Sequence, residues 1–184
     1  KSNTEYGVFE IGMDKKGEIN NLSKIVKPEI AVITNISEAH FKNFHSLKDI
    51  AKAKAEIINN ILDGGSIILN KDNKFFNFLF NKEKKRKIKI ISFSLKKNAD
   101  ISISQIKKVK NFFRLKIIVK NKSFYFDTKY STESFISNIL ACISVLFALN
   151  LDLNIIKNKF INFKIPEGRG DINTPYPSAD LIVH

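Results

Sequence analysis

Three polar residues, Glu10, His40 and Lys54, stand where the surrounding pattern asks for apolar ones, and the chemistry open to them includes metal binding. Glu10 falls within Tyr6-Gly7-Val8-Phe9-Glu10-Ile11-Gly12-Met13, which reads as a buried strand. A carboxylate inside such a strand is costly unless it is paired or bound to a metal; near the strand's end it can instead reach water or cap a loop. His40 follows the second apolar strand, Ile30-Ala31-Val32-Ile33-Thr34-Asn35-Ile36, by four residues. Ligands of open α/β sheets bind beyond the carboxyl ends of the strands, where an imidazole either binds a metal or hydrogen-bonds a loop. Lys54 is the sharpest of the three. At about 100° per residue, Leu47, Ile50, Ala51, Ile57, Ile58 and Ile61 share one arc of a helix over 46–62, with Lys54 at its centre. Lys48, Lys52 and Asn59 fall on the opposite face. A lysine so placed must snorkel, find a carboxylate or be chemically altered.

The elements that must position these residues alternate strand and helix, which predicts an α/β fold with a mostly parallel sheet flanked by helices. After the strand over 6–13 comes a helix from about Glu18 to Val26, stopped by Pro28. The second strand leads to a long helix from Ser46 to Leu62, with Ser46 and Asp49 as a capping box and Gly64-Gly65 as the stop. A third strand is expected at 66–70, a helix at 72–80 and a fourth strand at 87–93. From Asp100 to Asp127 short alternating runs predict an antiparallel meander at the sheet's edge, with a turn at Asn121-Lys122. Helices are expected at 132–149 and 152–163, and Pro166, Gly168, Gly170, Pro175 and Pro177 mark an irregular exit.

The net charge of +13 invites a nucleic-acid reading, yet it comes from 28 lysines and only 3 arginines, beside 20 asparagines and 29 isoleucines. That skew is what an AT-rich coding sequence produces, and arginine, the residue suited to bidentate phosphate and guanine contacts, is nearly absent. No specific nucleic-acid partner is therefore expected, and Lys82-Glu83-Lys84-Lys85-Arg86-Lys87 reads as a solvated connection. No apolar run approaches the roughly 18–20 residues of a membrane span. The single Cys142 excludes an internal disulfide framework and suits a reducing compartment.

Several segments together resemble a known family. Glu10-Ile11-Gly12-Met13-Asp14-Lys15-Lys16-Gly17-Glu18-Ile19 is similar to the E-L/I-G-M-x-x-x-G-E-I signature of the Mur ligases, in the branch that adds D-alanyl-D-alanine to UDP-N-acetylmuramoyl-tripeptide. Ile33 to His40 resembles that branch's I-T-N-I-x-x-A-H. Phe44 to Ser46 and Ile50 to Ile57 resemble F-x-S-L-E-x-I-A-x-A-K-x-E-I, and Leu69-Asn70-Lys71-Asp72 is similar to L-N-x-D. The resemblance implies a central ATPase domain of P-loop-like fold in which Glu10 and His40 hold Mg2+ beside the phosphates of ATP. It implies that Lys54 is carbamylated by carbon dioxide, giving anionic oxygens that suit a hard ion better than an ammonium does. It further implies that ATP phosphorylates the tripeptide carboxylate and that the amine of the dipeptide attacks the acyl phosphate. Ser134 to Ala141 occupies the place of the family's adenine-side H-N-x-x-N-x-x-A-A helix; Asn138 matches, while Ser134 and Phe135 depart from it. Gly168-Arg169 resembles the family's terminal G-R, making Arg169 a candidate phosphate contact.

The phosphate loop G-x-x-x-x-G-K-S/T, which the family carries upstream of the Glu10 motif, occurs nowhere in the sequence. The expectation is a partial central domain over 1–164, lacking the first strand and phosphate loop and inactive alone, with 165–184 as a linker toward a C-terminal domain. The full-length enzyme is expected to be a cytoplasmic monomer. The nearest alternatives are the diaminopimelate- or lysine-adding ligases and folylpolyglutamate synthase, against which Gly17-Glu18-Ile19 argues. A basic nucleic-acid-binding module is the alternative of another class.

Overall fold

The computed structural model describes residues 3, 5–37, 43–83, 87–96, 98–164 and 181–183. In chain order these form β1 (Val8–Glu10), α1 (Glu18–Val26), β2 (Ile30–Ile33), α2 (Leu47–Lys54), β3 (Ser66–Asn70), α3 (Phe76–Glu83) and β4 (Lys89–Ser94). There follow β5 (Ile101–Val109), β6 (Phe112–Val119), β7 (Lys122–Thr128), α4 (Glu133–Ala148) and β8 (Leu181–Val183). The chain divides into two units, Lys1–Ile91 with Pro177–His184, and Ser92–Tyr176.

In the first unit the strand order is β1-β8-β2-β3, followed by the opening residues of β4. β2 and β3 are parallel in the register Ile30↔Ser66 to Ile33↔Leu69, whereas β8 runs antiparallel to both β1 and β2. Every residue of β2 is buried, as expected for parallel strands covered on both faces. One core joins Ala31 and Ile33 of β2 and Ile67 and Leu69 of β3 to Ile50, Ala51 and Ala53 of α2. Each buried isoleucine or leucine contributes about 1.5–3 kcal/mol relative to an exposed one.

Local chemistry explains where these elements begin and stop. α1 starts after Gly17, whose φ of 92° suits a residue without a Cβ, and ends before Pro28, with Lys27 left-handed at φ 49°. Ser46 caps α2: its Oγ accepts the Asp49 amide at 3.2 Å and donates to Asp49 Oδ2 at 2.7 Å. That hydroxyl, and then Lys52, hold the Asp49 carboxyl below the usual carboxylate range. Gly64 turns the chain at φ 82°, and a Cβ on Gly65 would collide with the carbonyl oxygens of Glu29 and Leu62.

In the second unit Ser92–Ser94 of β4 leads to β5 in parallel, and β5, β6 and β7 form the expected antiparallel meander. The β6–β7 turn is Lys120-Asn121, both at positive φ as a type I′ hairpin requires, one residue before the expected position. Asp100 accepts from the Ser92 amide and hydroxyl at 2.8 and 2.7 Å and pairs with Lys120. α4 buries Ile136, Ile139, Leu140, Ile143 and Val145, and the enclosed Ser144 hydroxyl donates to the Leu140 carbonyl at 2.7 Å.

The α/β architecture with a mostly parallel sheet and antiparallel meander is thus the one expected, but β8 joins the sheet where only an irregular exit was expected, and three further elements differ. The strand expected over 6–13 narrows to β1, which lies at one edge of the described sheet and is exposed throughout. The helix expected over 46–62 is α-helical only to Lys54 and continues as a 3-10 helix over Ala55–Asn60. The last expected helix is two 3-10 turns, Leu153–Ile156 and Phe160–Asn162.

Candidate active site

Glu10 closes β1 at its carboxyl end, and its side chain is exposed rather than enclosed in a strand. The carboxylate stands at the strand's end, where it is open to solvent or to a bound cation. The buried positions are the next ones along, Ile11 and Met13, which pack into the same core as Ala53 and Ala55 on either side of Lys54. Two chain segments that carry expected site residues are therefore anchored in one apolar cluster.

Lys54 is the last residue of α2 and is 7% exposed, beside Ile50, Ala51, Ile57 and Ile58, all buried. Lys48, Lys52 and Asn59 face solvent, as the helical arc requires. A cation in this position carries a desolvation cost that a partner or a change of chemistry must offset.

The loops at the carboxyl ends of β2 and β3 are stapled by asparagine amides. Asn73 Nδ2 donates to Asn35 Oδ1 at 2.6 Å and to the Ile36 carbonyl at 3.2 Å, and Asn70 Nδ2 donates to the Thr34 carbonyl at 3.0 Å. Asn35 Oδ1 also accepts the Ile36 amide at 2.9 Å. These bonds fix the stem of the segment that leads to His40. His40 itself and Arg169 lie outside the described residues. Asn138 is an exposed residue of α4, in the second unit.

Two carboxylates shape the loop between Glu10 and α1. Glu18 Oε2 accepts the amides of Asp14 and Lys15 at 2.6 and 3.0 Å, and those bonds hold its carboxyl below the usual range. The Glu56 carboxylate accepts the amide of Gly17 at 3.0 Å to each oxygen and that of Asn20 at 3.2 Å. Glu56 and Asn35 stand inside the motifs quoted above, but their long-range bonds, like those of Asn73, do not follow from sequence, because the partners lie more than thirty residues away.

Among the described residues no group of three or more His, Cys, Asp or Glu could hold a metal ion. Of the expected ligands, the described one with the chemistry of a hard-cation site is Glu10, an accessible carboxylate; Lys54 joins such a set only if its ammonium is converted to an anion.

Residues 1–146 match the family model of the Mur ligase middle domain. A UDP-N-acetylmuramoyl-tripeptide–D-alanyl-D-alanine ligase of Rickettsia prowazekii is 34% identical over 170 residues, 92% of this chain and 38% of that protein. The ligase of the same name from Buchnera aphidicola of Acyrthosiphon pisum is 35% identical over 196 residues, 99% of this chain and 40% of that protein. Among solved structures, a crystal structure of MurF from Acinetobacter baumannii superposes with a TM-score of 0.78 at 26% identity, covering 91% of this chain and 36% of that one. MurF from Thermotoga maritima in complex with ADP shares the fold, with a TM-score of 0.72 at 19% identity, covering 84% of this chain and 35% of that one. The chain spans 33–40% of the length of the first four curated relatives it matches.

Proposed function

This chain belongs to the Mur ligase family through its middle domain, and on that premise we propose that it forms part of the ATP-using centre of a ligase joining D-alanyl-D-alanine to UDP-N-acetylmuramoyl-tripeptide. What supports this reading most is the 34% identity with a ligase of that name across 92% of the chain. Residues 1–164, joined by β8 in the sheet of the first unit, are then part of a central domain, in an enzyme that works as a cytoplasmic monomer.

In this reading Glu10 and His40 hold magnesium, which when bound offsets charge on the transferred phosphoryl group. The Lys54 amine, in its unprotonated form, adds carbon dioxide at nitrogen with release of a proton, giving an anionic carbamate. Asn138 contacts the adenine side and Arg169 the phosphates of ATP. The tripeptide carboxylate takes the γ-phosphoryl group, and the dipeptide amine then displaces phosphate from the acyl phosphate, losing a proton as the amide forms. The asparagine staple between the β2 and β3 loops restricts residues 34–36 before the substrates arrive, which lowers the entropic cost of ordering that loop stem.

A chimera tests this, with this chain replacing the matching segment of the Rickettsia prowazekii relative. Given ATP, magnesium and UDP-N-acetylmuramoyl-tripeptide, it should release phosphate and form amide with D-alanyl-D-alanine, and not with single amino acids. A folded chimera that ligates a single amino acid, or nothing, would remove the proposal.

A further inference from the structure

We propose that Glu56 is a positioning residue whose carboxylate ties the loop after Glu10 to the segment that carries Lys54. The functional weight of this tie rests on the reading that Glu10 and Lys54 serve one site; the tie itself rests on geometry. Glu56 sits two residues beyond Lys54, where the helix passes from α to 3-10 winding. Its carboxylate accepts the Gly17 amide with both oxygens at 3.0 Å and the Asn20 amide at 3.2 Å, across 39 and 36 residues of sequence. These amides open α1, so the negative charge also meets the positive end of the helix.

The bonds act at a useful place. Gly17 ends the loop that begins after Glu10, and within that loop the amides of Asp14 and Lys15 are already taken by Glu18. The loop is thus closed on itself by Glu18 and fastened to the 3-10 segment by Glu56. At the loop's other end Ile11 and Met13 pack in the core with Ala53 and Ala55. Asn60 makes a separate attachment: its Nδ2 donates to the Asn20 carbonyl and Oδ1, each at 3.1 Å, and to Ser23 Oγ at 2.9 Å. Asn60 therefore holds the body of α1, while Glu56 holds the loop that leads to it, and the two roles separate by mutation.

The test uses the 184-residue chain. Amide exchange is followed by NMR in the wild type, Glu56→Gln, Glu56→Ala and Asn60→Ala. Glu56→Ala should speed exchange at Ile11–Gly17 by about tenfold or more, with Ile50–Lys54 unchanged. Glu56→Gln keeps one acceptor oxygen and should fall between. Asn60→Ala should loosen α1 without accelerating Ile11–Met13, which separates positioning from a general loss of stability. Wild-type exchange at Ile11–Met13 in Glu56→Ala, or equal acceleration there in Asn60→Ala, would overturn the proposal. A second readout uses Mn2+ as the probe, with bicarbonate present. Line broadening shared by Glu10 and Lys54 in the wild type should become confined to one of them in Glu56→Ala; broadening that stays shared counts against Glu56. If the wild type shows no shared broadening, the common metal site of the proposed function fails, and the exchange rates alone still decide the role of Glu56.

Discussion

At Lys54 a cationic side chain with 7% exposure lies between Ala53 and Ala55 on the buried side of α2. If it works as a carbamate, substitution in the chimera should follow the chemistry of the anion and not that of the cation. Lys54→Ala should abolish ligation with the fold intact, since alanine is a good helix former. Lys54→Glu should recover part of the rate by restoring an anionic oxygen. Lys54→Arg should fail, because guanidinium keeps its charge and forms no carbamate. A structural lysine predicts the reverse order, with arginine tolerated and glutamate disruptive; ligation rates with and without bicarbonate decide between them. Lys54 was legible because a polar residue on an apolar arc breaks a local pattern. Glu56 was not, because its role depends on amides more than thirty residues away, and no local window joins them.

The elements were legible where their punctuation is local. Gly17 and Pro28 bracket α1, and Ser46 with Asp49 opens α2. The cap predicts a measurable cost. Ser46→Ala should lower unfolding stability by about 1 kcal/mol in urea, and Ser46→Gly by only a few tenths, since glycine is itself tolerated at that position. Equal stability of the alanine variant and the wild type would show that the cap bonds are replaced by solvent. Where tertiary contacts decide, sequence periodicity misleads. The apolar run over 6–13 looks like a core strand, yet β1 lies at one edge of the described sheet and only Ile11 and Met13, beyond it, are buried. The helix over 46–62 keeps its apolar arc through Ile61, but its winding tightens after Lys54, where Glu56 and Asn60 reach to α1.

For the molecule as a whole, charge and burial tell different stories. The excess of 13 positive charges rests mainly on lysines, while Tyr6, Val8 and Phe9 leave apolar surface open at 47%, 58% and 44% exposure. Around β1 the first unit thus presents both an apolar face and, at Glu10, an accessible carboxylate. If the proposed function holds, this carboxylate belongs to one ligase centre with His40 and Lys54, and a crystal structure of the chimera with ADP and magnesium decides it. The Glu10 carboxylate, the His40 ring and the Lys54 side chain should converge on a single ion beside the phosphates. Side chains more than roughly 10 Å apart, beyond the reach of any shared ion with metal–oxygen distances near 2 Å, would contradict it.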